Sequence, residues 1–472
     1  MKIKFFLLPI FFISFFGISQ SIELDKELGK ENAISVEQTM GIYKDVKMTN
    51  YLRKVGDRLV SHLDKPLFTY QFNIVPNKSP NAFALPGGYI YITTGLLPLL
   101  ANEDELACII GHEIIHSNNR HSVQQLKRKI LPSLLEIPGE LLGVVNNNLG
   151  TLFNAPIKVS NKLLFASYGR KFETEADDEG IKLAAKTGYE PKAMLSALSR
   201  LSKTIEVATG NIEKKSYFND HPFTPERTAA IEEIASNLSW EKAKPLTQNF
   251  LFEFDNILFG DNPNQGVIID NKFLHPDLDF FIEFPTGWTI DNQTTNVGAY
   301  QPENKAAAFI FIENDNTSPQ KASEIFTNNL SSKDKSKITG MESYTLNSNE
   351  GYLLTFKETV KSQTIFAYIL WIQFNGKLFK LVGVGPSEYK DTLENISSSL
   401  RALNDKDKAT IKISKVRIVK AKQGETLISL SKRVDNKLSI ELTSVINSVT
   451  ENEKLNKGTL IKVVKEQNYY LK

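Results

Sequence analysis

The sequence predicts an α+β multidomain chain: a mainly helical domain with a small sheet, then an α+β domain, then a small βααβ module. Three observations predict it. Gly111-His112-Glu113-Ile114-Ile115-His116 closes an apolar run from Glu103 that no proline or turn cluster interrupts before Pro132, so it reads as one buried helix. Strand-patterned segments dominate 271–403, beyond the turn-rich stretch 258–266. After a charged linker at 404–410, a strand, two short helices and a returning strand fit the remaining length.

With 472 residues the chain can bury several separate cores. Its formal charge is +2, with Lys and Arg interspersed among Asp and Glu, which leaves no electrostatic footprint for nucleic acid. Residues 1–20 combine Lys2 and Lys4, an apolar stretch and the small-residue exit Gly17-Ile18-Ser19-Gln20. This reads as a secretory signal peptide, because a bilayer span needs about 20 apolar residues. Removing Lys2 and Lys4 takes the balance from +2 to 0. The expected location is periplasmic or extracellular, with no transmembrane segment in the mature chain. Cys108 is the single cysteine, so no intrachain disulfide and no lipid anchor after the signal is expected; it reads as a small buried apolar residue.

In the metal-motif helix, His112 and His116 lie about 40° apart around the axis and share a face able to bind one ion. Glu113, about 100° round from His112, flanks that face. This is the ligand and general-base arrangement of zinc peptidases. The competing reading, two histidines that only pack, leaves Glu113 as a buried carboxylate without compensation, which costs several kcal/mol.

Taken in order, the spacing of Met40, Tyr43, Val46, Tyr51, Val55 and Leu59 predicts an amphipathic helix over 34–63, and 68–75 alternates as a strand. Pro86-Gly87-Gly88 makes a turn, and Tyr89 to Thr94 is β-rich. It reads either as a core strand or as an edge strand beside the metal whose Gly88, Tyr89, Ile90 and Tyr91 pair with an extended substrate. Prolines and glycines break 130–162 into helix fragments or loop covering the cleft, with a lid as one role. His121, nine residues beyond His112, is expected on the far side of a straight helix and is not read as a ligand. Helical spacing resumes over 171–187, where Glu173 and Asp177 share a face. Glu173 can complete the ligand set while Asp177 holds a histidine N–H; a solvated acidic cluster is the plain reading. Asn119 and Ser122 stand where the metzincin pattern needs Gly and His. Glu136 is a rival third ligand, but Ile137-Pro138-Gly139 would break the helix needed to aim it.

Four segments occur in one order: 81–96 (NAFALPGGYIYITTGL), 103–121 (EDELACIIGHEIIHSNNRH), Tyr168-Gly169-Arg170 leading to Glu173-Thr174-Glu175-Ala176-Asp177, and His221-Pro222 with Arg227. Together they resemble the gluzincin peptidase family that includes the CAAX prenyl endoprotease, HtpX and BepA, over about 28–238. The resemblance implies a zincin-type metallopeptidase domain over 21–257 holding one Zn²⁺ per chain through His112, His116 and Glu173, with Glu113 as general base. It implies that Asp177 and Arg227 stand behind the ligands and hold them in place. His221, on a turn-forming loop, is expected to act at the site, either donating to the oxyanion or taking the fourth metal position; the plain reading is that it only packs the loop, with Arg227 pairing a nearby carboxylate. Unlike the membrane-embedded relatives, this chain has no long apolar segments. Unlike BepA-like members, it shows no 34-residue tetratricopeptide pattern.

In the α+β domain, 267–404, strands are expected at 280–284, 307–312, 352–358, 366–374 and 377–384, with helices at 319–330 and 388–403. Phe284-Pro285-Thr286-Gly287-Trp288 is similar to the opening of PsbP/Mog1-like domains. Residues 412–466, with Gln423-Gly424-Glu425-Thr426-Leu427 and Leu455-Asn456-Lys457-Gly458-Thr459, resemble a LysM module, which implies binding of N-acetylglucosamine-containing glycans such as peptidoglycan. The expected function is a secreted zinc endopeptidase of protein quality control, acting on extended or misfolded envelope polypeptides. The alternative is a non-proteolytic client- or wall-binding envelope protein.

Overall fold

The computed structural model describes residues 10–125, 168–209, 217–222, 224–303, 305–313, 317–360 and 363–470, with side chains of the first helix from Ile22 onward. Helix α1 (Ile10–Thr39) ends where the Met40 and Gly41 amides both bond to the Val36 carbonyl. Gly41, at φ +74°, reverses the chain there. Tyr43 then bonds to Ile74, and Asp45 caps α2 (Val46–Val60) by accepting from the Met48 amide. The single helix expected over 34–63 is therefore two helices, because a left-handed glycine stop and an N-cap aspartate lie inside its apolar period.

Strands β1 (Gln71–Val75), β2 (Ala82–Leu85) and β3 (Tyr89–Thr93) form a sheet of order β1-β3-β2, with β1 parallel and β2 antiparallel to β3. Alternation along these strands serves two cores. Phe72, Ile74, Ala82, Ala84, Ile90 and Ile92 join the large core around α3 (Glu103–Asn118), whereas Val75, Phe83, Leu85 and Tyr91 pack on Ala33 and Val36 of α1. Helix α3 is buried along almost its whole length, because the sheet, α2, α4 (Arg170–Lys186) and α5 (Ala193–Thr209) all pack against it.

Short α6 (Tyr217–Asp220) and α7 (Pro225–Asn237) complete the helical region. Beyond it lie a sheet of β4 (Val267–Ile269), β5 (Lys272–His275) and β6 (Phe280–Glu283), then β7 (Thr289–Asn292), β8 (Asn296–Tyr300), β9 (Ala307–Glu313), α8 (Pro319–Asn328), β10 (Ile338–Leu346), β11 (Asn349–Val360), β12 (Gln363–Phe374), β13 (Lys377–Pro386) and α9 (Lys390–Ser398). The larger sheet runs β10-β11-β12-β13-β9-β8-β7, with α8 and α9 contributing to its two flanking cores.

The stretch 404–410 is not an extended linker. Asn404 and Asp407 form a reciprocal capping box on α10 (Asp405–Thr410). Strands β14 (Lys412–Lys420) and β15 (Leu460–Asn468) then pair antiparallel around α11 (Leu427–Val434) and α12 (Ile440–Asn447). This unit does not hang free. Val416 and Ile446 lie in the same hydrophobic cluster as α3, the Asn256 amide donates to Val416, and the buried Lys462 ammonium donates to the carbonyls of Pro98 (2.8 Å) and Leu100 (2.9 Å), just ahead of α3.

Candidate metal centre

Helix α3 starts at Asn102, whose side chain accepts from the Glu105 amide, and carries acids in its first turn, as the helix dipole favours. Three turns on, His112 and His116 emerge on one face with Nε2 atoms 2.9 Å apart. Helix α4 crosses at the glycine pair Gly111 and Gly180, which brings the two backbones into contact at His112. The crossing puts Glu173 Oε1 3.2 Å from His116 Nε2, and Asp177 Oδ1 3.0 Å from His112 Nδ1. His221 follows α6; its Nδ1 lies 3.1 Å from His112 Nε2 and 3.0 Å from Glu173 Oε1, and its Nε2 lies 3.5 Å from Glu113 Oε1. Ligand atoms of His112, His116, Glu173 and His221 all fall within 4.8 Å of one another, and all four residues are buried.

Charge balance sets what this cluster can hold. Glu113, Glu173 and Asp177 are buried carboxylates, and Arg227 bonds to two of them: NH1 to Glu173 at 2.9 Å, Nε and NH2 to Asp177 at 2.7 and 2.9 Å. Burial pushes Glu113 above the usual carboxylate range, against the pull of His221 and His112. Burial also works to raise Glu173, but His221, His116 and His112 outweigh it and hold Glu173 well below that range. His221 shows the complement: burial disfavours its charge, yet Glu173 and Glu113 lift its pKa to about 9. Both Glu113 oxygens and His221 Nε2 find no hydrogen-bond partner among the described residues. Three carboxylates against the Arg227 guanidinium and a His221 that they keep charged still leave the cluster net negative, and with His112 and His116 to donate lone pairs it suits a single divalent cation of borderline softness, whose charge would displace the His221 proton.

Residues 47–235 match the model of peptidase family M48. Over this region the chain is similar to that family. Among curated proteins the chain is 25% identical over 221 residues to the mitochondrial metalloendopeptidase OMA1 of Schizosaccharomyces pombe, covering 45% of this chain and 61% of that protein. It is 25% identical over 226 residues to the beta-barrel assembly-enhancing protease of Escherichia coli, covering 47% and 46%, and 29% identical over 158 residues to OMA1 of Saccharomyces cerevisiae, covering 32% and 42%. The matches thus span about half the length of these relatives. A solved structure from Bacteroides thetaiotaomicron aligns at 12% identity and a TM-score of 0.23, over 41% of this chain and 89% of its own. The family is zinc-dependent, and the His112–His116–Glu173–His221 cluster fits one metal ion.

Within the M48 region the structure corrects two expectations. Strand β3 is central, not an edge: Tyr89, Ile90 and Tyr91 are paired on one side with β1 and on the other with β2, and the Gly88 amide donates to Ser117 Oγ. Strands β1 and β2 end the sheet, and β2 is buried along its length. Because Thr93 donates to Asn81, alternation turns the backbone groups of Phe83 and Leu85 toward β3 and those of Ala82 and Ala84 away from it, where the Ala84 carbonyl accepts from the Tyr168 hydroxyl at 3.4 Å. His121, expected on the far side of the helix, instead meets His116, with the two Nδ1 atoms 3.0 Å apart. Arg120, at φ 61°, ends the straight helix and swings His121 back. Tyr168 was also not foreseen as part of the site; it stacks on His116 with ring centroids 3.9 Å apart, and its amide donates to Asp220. No spacing rule links Tyr168 to His116, since 52 residues separate them. Glu136 and the expected cover at 130–162 lie outside the described residues.

Proposed function

We propose that the chain is an exported zinc-dependent endopeptidase, periplasmic or extracellular, which cleaves extended or misfolded envelope polypeptides and is held latent by His221. The observation that carries this reading is Glu113, buried beside the ligand cluster, with neither oxygen hydrogen-bonded among the described residues, and off the face that His112 and His116 share. Zinc, when bound, acidifies water and polarises the scissile carbonyl. His112, His116 and Glu173 would hold it. Glu113 takes the proton from the attacking water and returns it to the leaving amine, a role suited by a pKa that burial raises toward the working range. Asp177 orients the His112 ring, and Arg227 holds Glu173, Asp177 and the His221 and Pro222 carbonyls together.

Among the described residues, no helix is long and apolar enough to cross a membrane. The βααβ order of 412–466 supports a LysM-like module, and we assign it binding of N-acetylglucosamine-containing glycan such as peptidoglycan. Retention of the full chain on insoluble peptidoglycan tests this, and no retention at low salt would leave a structural role.

The deciding experiment uses the purified chain without residues 1–20 and denatured casein, with and without a chelator. Cleavage is expected to need metal, and Glu113→Gln is expected to abolish it while zinc stays stoichiometric. A Glu113→Gln variant that keeps most of its activity with metal bound would remove Glu113 from the mechanism. The non-proteolytic reading has one observation in its favour, the burial of the whole ligand set. Intact casein after incubation with zinc-loaded wild type and with His221→Ala would favour it.

A further inference from the structure

His116 must present a bare Nε2 to the metal, and the structure shows what decides whether it can. Behind it, His116 Nδ1 faces His121 Nδ1 at 3.0 Å. One proton serves this contact: two N–H groups would clash and two lone pairs would repel. If His116 carries the proton on Nδ1, its Nε2 is a free lone pair aimed into the cluster. If His121 carries it, His116 is protonated on Nε2 and points an N–H at the cation. The direction of one hydrogen bond therefore sets ligand competence.

Several contacts bias that direction. His121 Nε2 lies 3.6 Å from Glu175 Oε1, too far for a hydrogen bond and with no hydrogen-bond partner among the described residues, but near enough for the carboxylate charge to favour the proton on Nε2 and leave Nδ1 as an acceptor. Glu175 is held in place by Asn119, whose Nδ2 donates to the same Oε1 at 2.8 Å. The His121 ring is fully buried and stacked on Phe172, centroids 4.6 Å apart. The preceding left-handed turn is anchored by Arg120, which bonds to buried Asp25 at 3.1 and 2.6 Å.

We propose that His121 and Glu175 are positioning residues that fix His116 in the Nδ1–H tautomer, so that its Nε2 stands ready for zinc. This rests on the metallopeptidase reading, since it takes His116 as a ligand. The relay is Glu175, His121 Nε2–H, His121 Nδ1, His116 Nδ1–H and the metal, and no member other than His116 touches the ion.

The test uses the full chain without residues 1–20, with ¹⁵N-labelled histidines, loaded with zinc alone. Tautomer-resolving NMR is expected to find His121 protonated on Nε2 and His116 on Nδ1. By chelator competition, His121→Phe is expected to lose zinc affinity about 10 to 100-fold, the usual scale for a partner behind a ligand. His121→Asn, whose amide oxygen can accept from His116, is expected to recover most of the loss. Glu175→Leu, at a partly exposed position that should fold normally, is expected to weaken zinc binding and to add nothing to His121→Phe. A His121 protonated on Nδ1, wild-type zinc affinity in Glu175→Leu, or losses that add in the double variant would each overturn the proposal. A wild-type chain that takes up no zinc would instead overturn the metallopeptidase reading, and this inference with it.

Discussion

One ring, His221, touches the ligand set with one nitrogen and the candidate base with the other: its Nδ1 lies 3.0 Å from Glu173 and its Nε2 3.5 Å from Glu113. In that pose it would, on giving up its proton, fill a fourth metal position and the side of Glu113 that a water needs, as the latent state proposed above requires. His221→Ala is therefore expected to raise kcat on denatured substrate at matched zinc content, by about tenfold if the closed pose is favoured by about 1.4 kcal/mol. A fall of about 10² to 10³-fold would make His221 an oxyanion donor instead.

Glu173 and Asp177 sit one helical turn apart on α4 but meet the cluster differently, Glu173 at His116 Nε2 and Asp177 at His112 Nδ1. Glu173→Ala is expected to lose bound zinc. Asp177→Ala is expected to keep it with about 10 to 100-fold lower affinity. Metal analysis after gel filtration decides, and full occupancy in Glu173→Ala would take the third ligand away from α4.

A Cβ built on Gly180 would stand 2.9 Å from the His112 amide nitrogen and 3.0 Å from its Cα, both backbone atoms that cannot step aside. At an exposed helix site, Gly→Ala stabilises by about 1 kcal/mol. Here the overlap should win, costing about 1 to 3 kcal/mol in urea unfolding, and zinc affinity should fall as α4 lifts Glu173 and Asp177 away from α3. A Gly180→Ala protein more stable than wild type would mean that the helices separate freely.

Burial lowers the Lys462 pKa to about 7, with Arg200 adding to the effect and Glu105 opposing it, whereas an unfolded lysine titrates near 10.4. Between these values the unfolded chain binds a proton that the folded chain does not, so the penalty is greatest below about pH 7 and stability rises with pH toward about 10. A neutral amine still offers an N–H to each of Pro98 and Leu100. The difference in unfolding midpoint between wild type and Lys462→Met should therefore shift in favour of wild type from pH 7 to 10. A difference that stays flat over that range would show that Lys462 keeps its proton in the fold.

What the sequence made legible was local. His112, Glu113 and His116 follow from helical period alone, and β11 to β13 from runs of apolar and aromatic residues bounded by turn residues. Glu173 needed the ordered family motifs, because nothing within α4 says which distant helix it faces. Strand order is likewise non-local: Tyr89 to Thr93 has the same letters whether central or at an edge, and only the pairing of β1 and β2 on its two sides decides. His121 stays outside the candidate ligand set, but its placement on the far side failed because an angle counted along a straight helix does not survive the left-handed Arg120. The helix at 405–410 did have a signal, the Asn404 and Asp407 capping pair, hidden among charges that read as a linker. The docking of Val416, Ile446 and Lys462 on the peptidase core had none.

That docking bears on how the protein is born. The core around α3 is closed by residues more than 300 positions downstream, and the carbonyls of Pro98 and Leu100 wait for an ammonium on β15. A ribosome that has finished the whole M48 region has not yet supplied these partners. The helix carrying His112 and His116 gains its last packing only as the end of the chain emerges, which places the ripening of the metal centre after translation has all but ended.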